Sequence, residues 1–144
     1  MDFELPDQDG NPISSADFEG RKLIVFFYPA AMTPGCTAEA CDFRDRYQDL
    51  QEAGYELVGI SPDEPVRNAR FREKEGLPFP LLSDQDHKVA EAFGAWGKKV
   101  RYGKESVGLI RSTFVLGEEG ELEREYRNVK ATGHVARVTA DLLG

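Results

Sequence analysis

The sequence predicts an α/β fold, and two observations carry that expectation. Short apolar runs rich in β-branched and aromatic residues alternate along the chain with longer segments whose apolar residues recur at three- and four-residue steps. The last third adds a strand pair around Glu118-Glu119-Gly120 and then one more helical segment. Alternation of this kind implies a sheet whose faces are covered by helices.

The elements follow in order. Phe3-Glu4-Leu5 and Pro12-Ile13-Ser14 flank Asp9-Gly10, a turn signal that predicts an N-terminal β-hairpin. Leu23-Ile24-Val25-Phe26-Phe27 reads as a buried strand, ended by Tyr28-Pro29. Pro34-Gly35 punctuate a loop, and Ala40, Phe43, Tyr47 and Leu50 then mark one face of an amphipathic helix from about 35 to 52. A strand from Glu56 to Ile60, a helix from about Glu64 to Glu75, a short strand at Leu81-Leu82-Ser83 and a short helix from His87 to Phe93 come next. Ser112 to Leu116 and Glu121 to Tyr126 make the late hairpin, and the last helix runs from about Gly133 to Leu143 with Val135, Val138 and Leu142 together. With 144 residues and no repeat or linker, the chain is expected to form one domain over 1–144.

Composition narrows the function. A net charge of −8 opposes non-specific binding to phosphate backbones, so nucleic acid is not an expected partner. No apolar run is long enough to span a bilayer and the N-terminus lacks the order of a signal peptide, so the expectation is a cytoplasmic chain without a membrane partner. Two cysteines are too few for a disulfide scaffold and suggest a reducing compartment. His87 and His134 lack zinc-type spacing, and neither metal nor cofactor is expected.

Both cysteines lie in Thr33-Pro34-Gly35-Cys36-Thr37-Ala38-Glu39-Ala40-Cys41. Cys36 falls in the first turn of the predicted helix, where unpaired N–H groups and the positive end of the helix dipole favour a thiolate over a thiol. Pro34-Gly35 ahead of it give little cover in which to hide a side chain. Five residues advance a helix by roughly 7.5 Å, too far for unstrained disulfide geometry. The two thiols can both be helical or can be bonded, but not both at once.

Pro29-Ala30-Ala31-Met32-Thr33-Pro34-Gly35-Cys36 resembles the P-x-x-x-T-x-x-C active-site motif of peroxiredoxins, and the offset to Cys41 resembles the bacterioferritin comigratory protein, or peroxiredoxin Q, subfamily. Leu5-Pro6-Asp7-Gln8-Asp9-Gly10, Phe93-Gly94-Ala95-Trp96-Gly97 and Ile110-Arg111-Ser112-Thr113-Phe114-Val115 agree with it, so the resemblance covers nearly the whole chain. It implies a thioredoxin-like fold, a central mixed β-sheet flanked by helices, and reduction of hydroperoxides with thioredoxin, or glutaredoxin, returning the electrons. Cys36 is then the peroxidatic thiol and Cys41 the resolving one, joined in a transient Cys36–Cys41 disulfide. Arg111 would stabilise the thiolate and the peroxide oxygens, Thr33 would hydrogen-bond the incoming peroxide, and Pro29 would wall the pocket. Glu39 is a supporting residue, placed to cap first-turn N–H groups or to hold an arginine. No partner subunit is needed to resolve Cys36, which suits a monomer.

Each residue also has an ordinary reading. Cysteine serves often as a small buried hydrophobe, and Cys41 more than Cys36 fits that role. Thr33 reads otherwise as a cap, Pro29 as a strand stop and Arg111 as a surface charge. Tyr28 and Trp96 read as packing residues. Two other functions compete with the peroxidase: a thiol–disulfide oxidoreductase, which uses a closer cysteine pair and a proline before the late strand, and a non-catalytic redox sensor. No proline follows Pro80 here.

Overall fold

The computed structural model describes residues 2–144, and its centre is the strongest apolar run of the sequence. β1 (Glu4–Pro6) and β2 (Pro12–Ser14) form the N-terminal hairpin, and β3 (Lys22–Phe27) follows. Then come α1 (Pro34–Glu52), β4 (Tyr55–Ser61), α2 (Pro65–Glu75), β5 (Leu81–Ser83) and α3 (Lys88–Phe93). β6 (Trp96–Arg101) and β7 (Lys104–Leu109) make a second antiparallel ribbon, and β8 (Ser112–Leu116), β9 (Leu122–Tyr126) and α4 (His134–Leu143) complete the order.

The main sheet has the strand order β5-β4-β3-β8-β9. It is mixed: β3, β4 and β5 pair in parallel, while β8 runs antiparallel to both β3 and β9. Side chains alternate along β3, so its two faces feed two cores. Ile24, Phe26 and Tyr28 pack with Ala40, Phe43 and Leu50 of α1, Phe71 of α2 and Val135 and Val138 of α4. Leu23, Val25 and Phe27 pack on the other face with Ala90 and Phe93 of α3, Phe3, Ala95 and Leu109. The mixed sheet with helices on both faces is the thioredoxin-like architecture that the resemblance implies.

Gly59 in β4 lets this packing close. A Cβ there would lie 2.8 Å from Cζ of Phe26 and 2.9 Å from Cδ2 of Leu81. The β6–β7 ribbon is the element that the sequence pattern did not predict. Val100 and Val107 are largely exposed and Lys98 also faces solvent, so the ribbon's outer half lacks the apolar alternation that marks a half-buried strand. Among the described residues, no helix is long and apolar enough to cross a membrane.

Candidate active site

The register of the sheet assembles the site. Phe27 ends β3 opposite Ser112, the first residue of β8, so Arg111 stands beside the point where the chain leaves β3 for the Pro29–Thr33 loop. The backbone on either side of Arg111 is pinned: Ile110 N–H donates to the Ala95 carbonyl at 2.7 Å, and Val129 N–H donates to the Arg111 carbonyl at 3.0 Å.

The loop itself is held from α2 and from the turn before it. Ala31 N–H donates to Asp63 Oδ2 at 2.7 Å, Arg67 Nη2 donates to the Ala31 carbonyl at 3.1 Å, and Arg67 pairs with Asp63 at 3.1 Å. Met32 adopts φ 64°, a left-handed conformation uncommon for a residue with a side chain, and so turns the loop into α1. Beneath, the buried Tyr28 hydroxyl donates to Asn68 Oδ1 at 2.6 Å, and Asn68 donates onward to Ser83 Oγ. Burial drives the Tyr28 phenol far above its usual range, so it remains a neutral donor. Tyr28 is therefore a packing and anchoring residue.

Thr33 precedes α1 with extended backbone, and its carbonyl accepts from Thr37 N–H at 2.9 Å. Its hydroxyl donates to the Ala30 carbonyl at 2.7 Å instead of capping the helix, which leaves the oxygen lone pairs able to accept. Pro29, partly exposed, lies just beyond β3. Gly35 and Cys36 are in the first turn of α1, where N–H groups have no intrahelical acceptor.

Cys36 is 1% exposed, which corrects the expectation that a Pro-Gly helix start leaves it little cover. The cover comes from elsewhere in the chain. Arg111 reaches over the helix start and places Nη2 at 3.3 Å from Cys36 Sγ. Gly35 permits this approach, since a Cβ at that position would lie 3.3 Å from Arg111 Nη2.

The other arm of the guanidinium, Nη1, is 2.6 Å from Glu39 Oε1. Arg111 thus bridges a sulfur and a carboxylate three residues apart on α1, as a planar fork can and an ammonium cannot. Burial opposes its charge, but Glu39 and Cys36 more than offset that, and its pKa is raised. Glu39 is wholly enclosed, and burial pushes its carboxyl up to about 7 against the pull of Arg111. Its Oε2 has no hydrogen-bond partner among the described residues, and His134 Nε2 lies 3.9 Å away.

His134 opens α4 and shares a 2.7 Å hydrogen bond with Thr113 Oγ1. Burial first, then the charges of Arg111 and Arg137, bring its pKa down to about 4, so the ring is neutral at pH 7. His134, Thr113, Asp63 and Arg67 are site neighbours that sequence reasoning missed. Asp63 and Arg67 are an i,i+4 pair, but only the tertiary fold sets them on the loop before α1 and sets His134, hydrogen-bonded to Thr113, beside Glu39.

Cys41 lies in α1 as well, half-buried, and both cysteines are free thiols. Its Sγ donates to Glu75 Oε2 at 3.6 Å, facing α2 instead of Cys36. Burial chiefly pushes the Cys41 thiol up, with Glu75 adding to the effect and Arg44 opposing it. Trp96 stacks on His87 at 3.9 Å between ring centroids, away from this cluster in sequence and contacts. Among the described residues, no group of three or more His, Cys, Asp or Glu is arranged to hold a metal ion.

Residues 1–125 match the AhpC/TSA family. The chain is 58% identical over 140 residues to a relative from Mycobacterium tuberculosis, covering 97% of this chain and 89% of the other. It is 45% identical over 141 residues to peroxiredoxin Bcp of Bacillus subtilis, covering 98% and 90%. A solved structure of Xanthomonas campestris bacterioferritin comigratory protein superposes with a TM-score of 0.91 at 35% identity, covering 98% of this chain and 90% of that one. Coverage this complete, at these identities and on the same mixed sheet, means that the chain belongs to the AhpC/TSA family, among its Bcp and peroxiredoxin Q members.

Proposed function

We propose that this chain is a thiol-dependent peroxidase that reduces hydrogen peroxide and organic hydroperoxides through Cys36. The observation that carries the reading is the Arg111 fork, which holds Cys36 Sγ at 3.3 Å and Glu39 Oε1 at 2.6 Å at the start of α1. The Xanthomonas campestris relative is described in terms of alkyl peroxide reduction, which supports the same chemistry here.

In the first step the Cys36 thiolate attacks one peroxide oxygen and the O–O bond breaks. Cys36 becomes a sulfenic acid, and the other oxygen leaves with the bonding pair and takes a proton to form an alcohol or water. The fixed guanidinium faces the charge that moves from sulfur to the leaving oxygen, and the free N–H groups of the first turn add donors. Thr33 Oγ1 orients the substrate by accepting a hydrogen bond from its O–H, and Pro29 walls the approach without adding a donor. Glu39 keeps Arg111 in place.

In the second step Cys41 attacks the sulfenic sulfur, the Cys36–Cys41 disulfide forms and water leaves. A dithiol reductant, thioredoxin in this reading, then exchanges with that disulfide and restores both thiols. Both cysteines and the groups around them lie in one chain, read as one domain over 1–144, so this reading needs no second subunit and takes the enzyme as a monomer; two cysteines outside any disulfide scaffold fit a reducing compartment, the cytoplasm in this reading.

Replacing each cysteine by serine tests the reading. Cys36→Ser abolishes peroxide consumption, whereas Cys41→Ser still forms the sulfenic acid but does not turn over with thioredoxin. Undiminished consumption by Cys36→Ser would overturn the assignment. A single stoichiometric oxidation of the wild-type protein, without turnover, would favour the redox sensor.

A further inference from the structure

Cys41 is tied to α2 by two contacts from one face of α1. Its Sγ donates to Glu75 Oε2 at 3.6 Å, and Arg44, three residues on, donates from Nη1 to the Glu75 carbonyl at 2.7 Å. Glu75 is the last residue of α2, and Gly76 closes that helix in a left-handed conformation with φ 61°. The end of α2 therefore presents a carboxylate to Cys41 and a carbonyl, at the negative pole of the helix dipole, to Arg44. This clasp grips α1 at the residue that must leave the helix before it can reach Cys36.

We propose that Glu75 is a positioning residue that latches Cys41 in the intact α1, so that breaking the Cys41–Glu75 contact sets the rate at which the Cys36 sulfenic acid is resolved. The proposal rests on Cys41 being the resolving thiol. The charged groups facing Cys41 are Arg44 and Asp45 of its own helix and Glu75 of α2, and in their company the Cys41 thiol is raised above its ordinary range. Once the first turns of α1 come away, the carboxylate is left behind and the thiol ionises more readily. Its sulfur then attacks Cys36, the S–O bond breaks, and the thiol proton leaves with the hydroxide as water.

A latch also decides what happens under peroxide excess. While Cys41 stays on Glu75, the sulfenic acid remains in the folded site beside Arg111, where a second hydroperoxide can oxidise it to sulfinic acid and leave as the alcohol. Faster release of Cys41 protects Cys36, and slower release exposes it.

Glu75→Gln keeps the shape and an acceptor while removing the charge, and Glu75→Ala removes the contact. Reduced protein is mixed with one equivalent of hydrogen peroxide, quenched with a thiol-blocking reagent and analysed by mass spectrometry. In both variants sulfenic acid should form on Cys36 at the wild-type rate; the disulfide should follow on the order of threefold to tenfold faster in Glu75→Ala, as expected for the loss of one hydrogen bond, and by a smaller factor in Glu75→Gln, where a neutral acceptor remains. The pH profile of disulfide formation should move to lower pH in Glu75→Gln, which a merely structural role would not produce. With excess peroxide, less sulfinic acid should accumulate. Disulfide formation that is unchanged or slower in both variants would overturn the latch. Failure of the wild-type protein to form sulfenic acid on Cys36 would instead overturn the peroxidase reading beneath it.

Discussion

At the scale of single residues, the site depends on one cation facing two groups of α1. Arg111→Lys retains the charge, but a single nitrogen cannot reach both Cys36 Sγ and Glu39 Oε1. Stopped-flow measurement of peroxide reduction should find the second-order rate down about 100-fold, the typical cost of one misplaced transition-state donor. Glu39 makes a separate prediction about stability. Its carboxyl titrates near 7 in the folded protein against an ordinary value of 4.5, so between these pH values the folded state holds a proton that the unfolded chain has lost. Stability from this group therefore falls as pH rises through that window and is flat above it. Glu39→Gln removes the effect: urea denaturation should show the variant gaining on wild type from about pH 4.5 to about pH 7, and a constant difference across the window would contradict the buried acid. Cys36 and Glu39 were legible from their places at a helix start. Arg111 was legible only through resemblance, since an arginine before a strand carries no mark of facing inward. His134 left no trace in the sequence, because its nearness to Glu39 is made by α4 packing on α1.

In the proposed reaction, the element that carries the chemistry is α1. Its first turns hold both cysteines in helical positions roughly 7.5 Å apart along the axis, beyond unstrained disulfide geometry. The disulfide therefore requires residues 36–42 to leave the helix. Hydrogen exchange on reduced and oxidised protein should show protection lost in this segment on oxidation, while Phe43 to Leu50, anchored in the core, stays protected. Equal protection in the two forms would count against the unfolding. The placement of both cysteines on one helix was readable in advance, since helical periodicity and cysteine spacing are both local. The β6–β7 ribbon was not. Gly97 and Gly108 face each other across it, and Lys98 pairs with Val107, so neither strand offers the apolar alternation that sequence reading relies on.

In the whole molecule, β3 divides two cores and its C-terminal end delivers the site. The strand alternation and the order of helices were legible because each apolar run is bounded by turn residues. The strand order was not, since the antiparallel insertion of β8 beside β3 is a long-range pairing. Gly59 of β4 is the register partner of Phe26 in β3, and the Phe26 ring fills the space that a side chain there would need. Gly59→Ala should cost about 1–3 kcal/mol in denaturant unfolding, because the added Cβ would stand 2.8 Å from Phe26 and a packed core resists the shift. An unaltered midpoint would mean that Phe26 moves aside freely. The three scales meet in one proposed sequence of events: Cys36 is oxidised in the folded site, and Cys41 then leaves α1 to resolve it within the same chain. Rapid-quench mass spectrometry after one equivalent of peroxide tests this most directly. Sulfenic acid should appear on Cys36 first and give way to an intramolecular Cys36–Cys41 disulfide; oxidation of Cys41 ahead of Cys36, or a disulfide linking two chains, would contradict it.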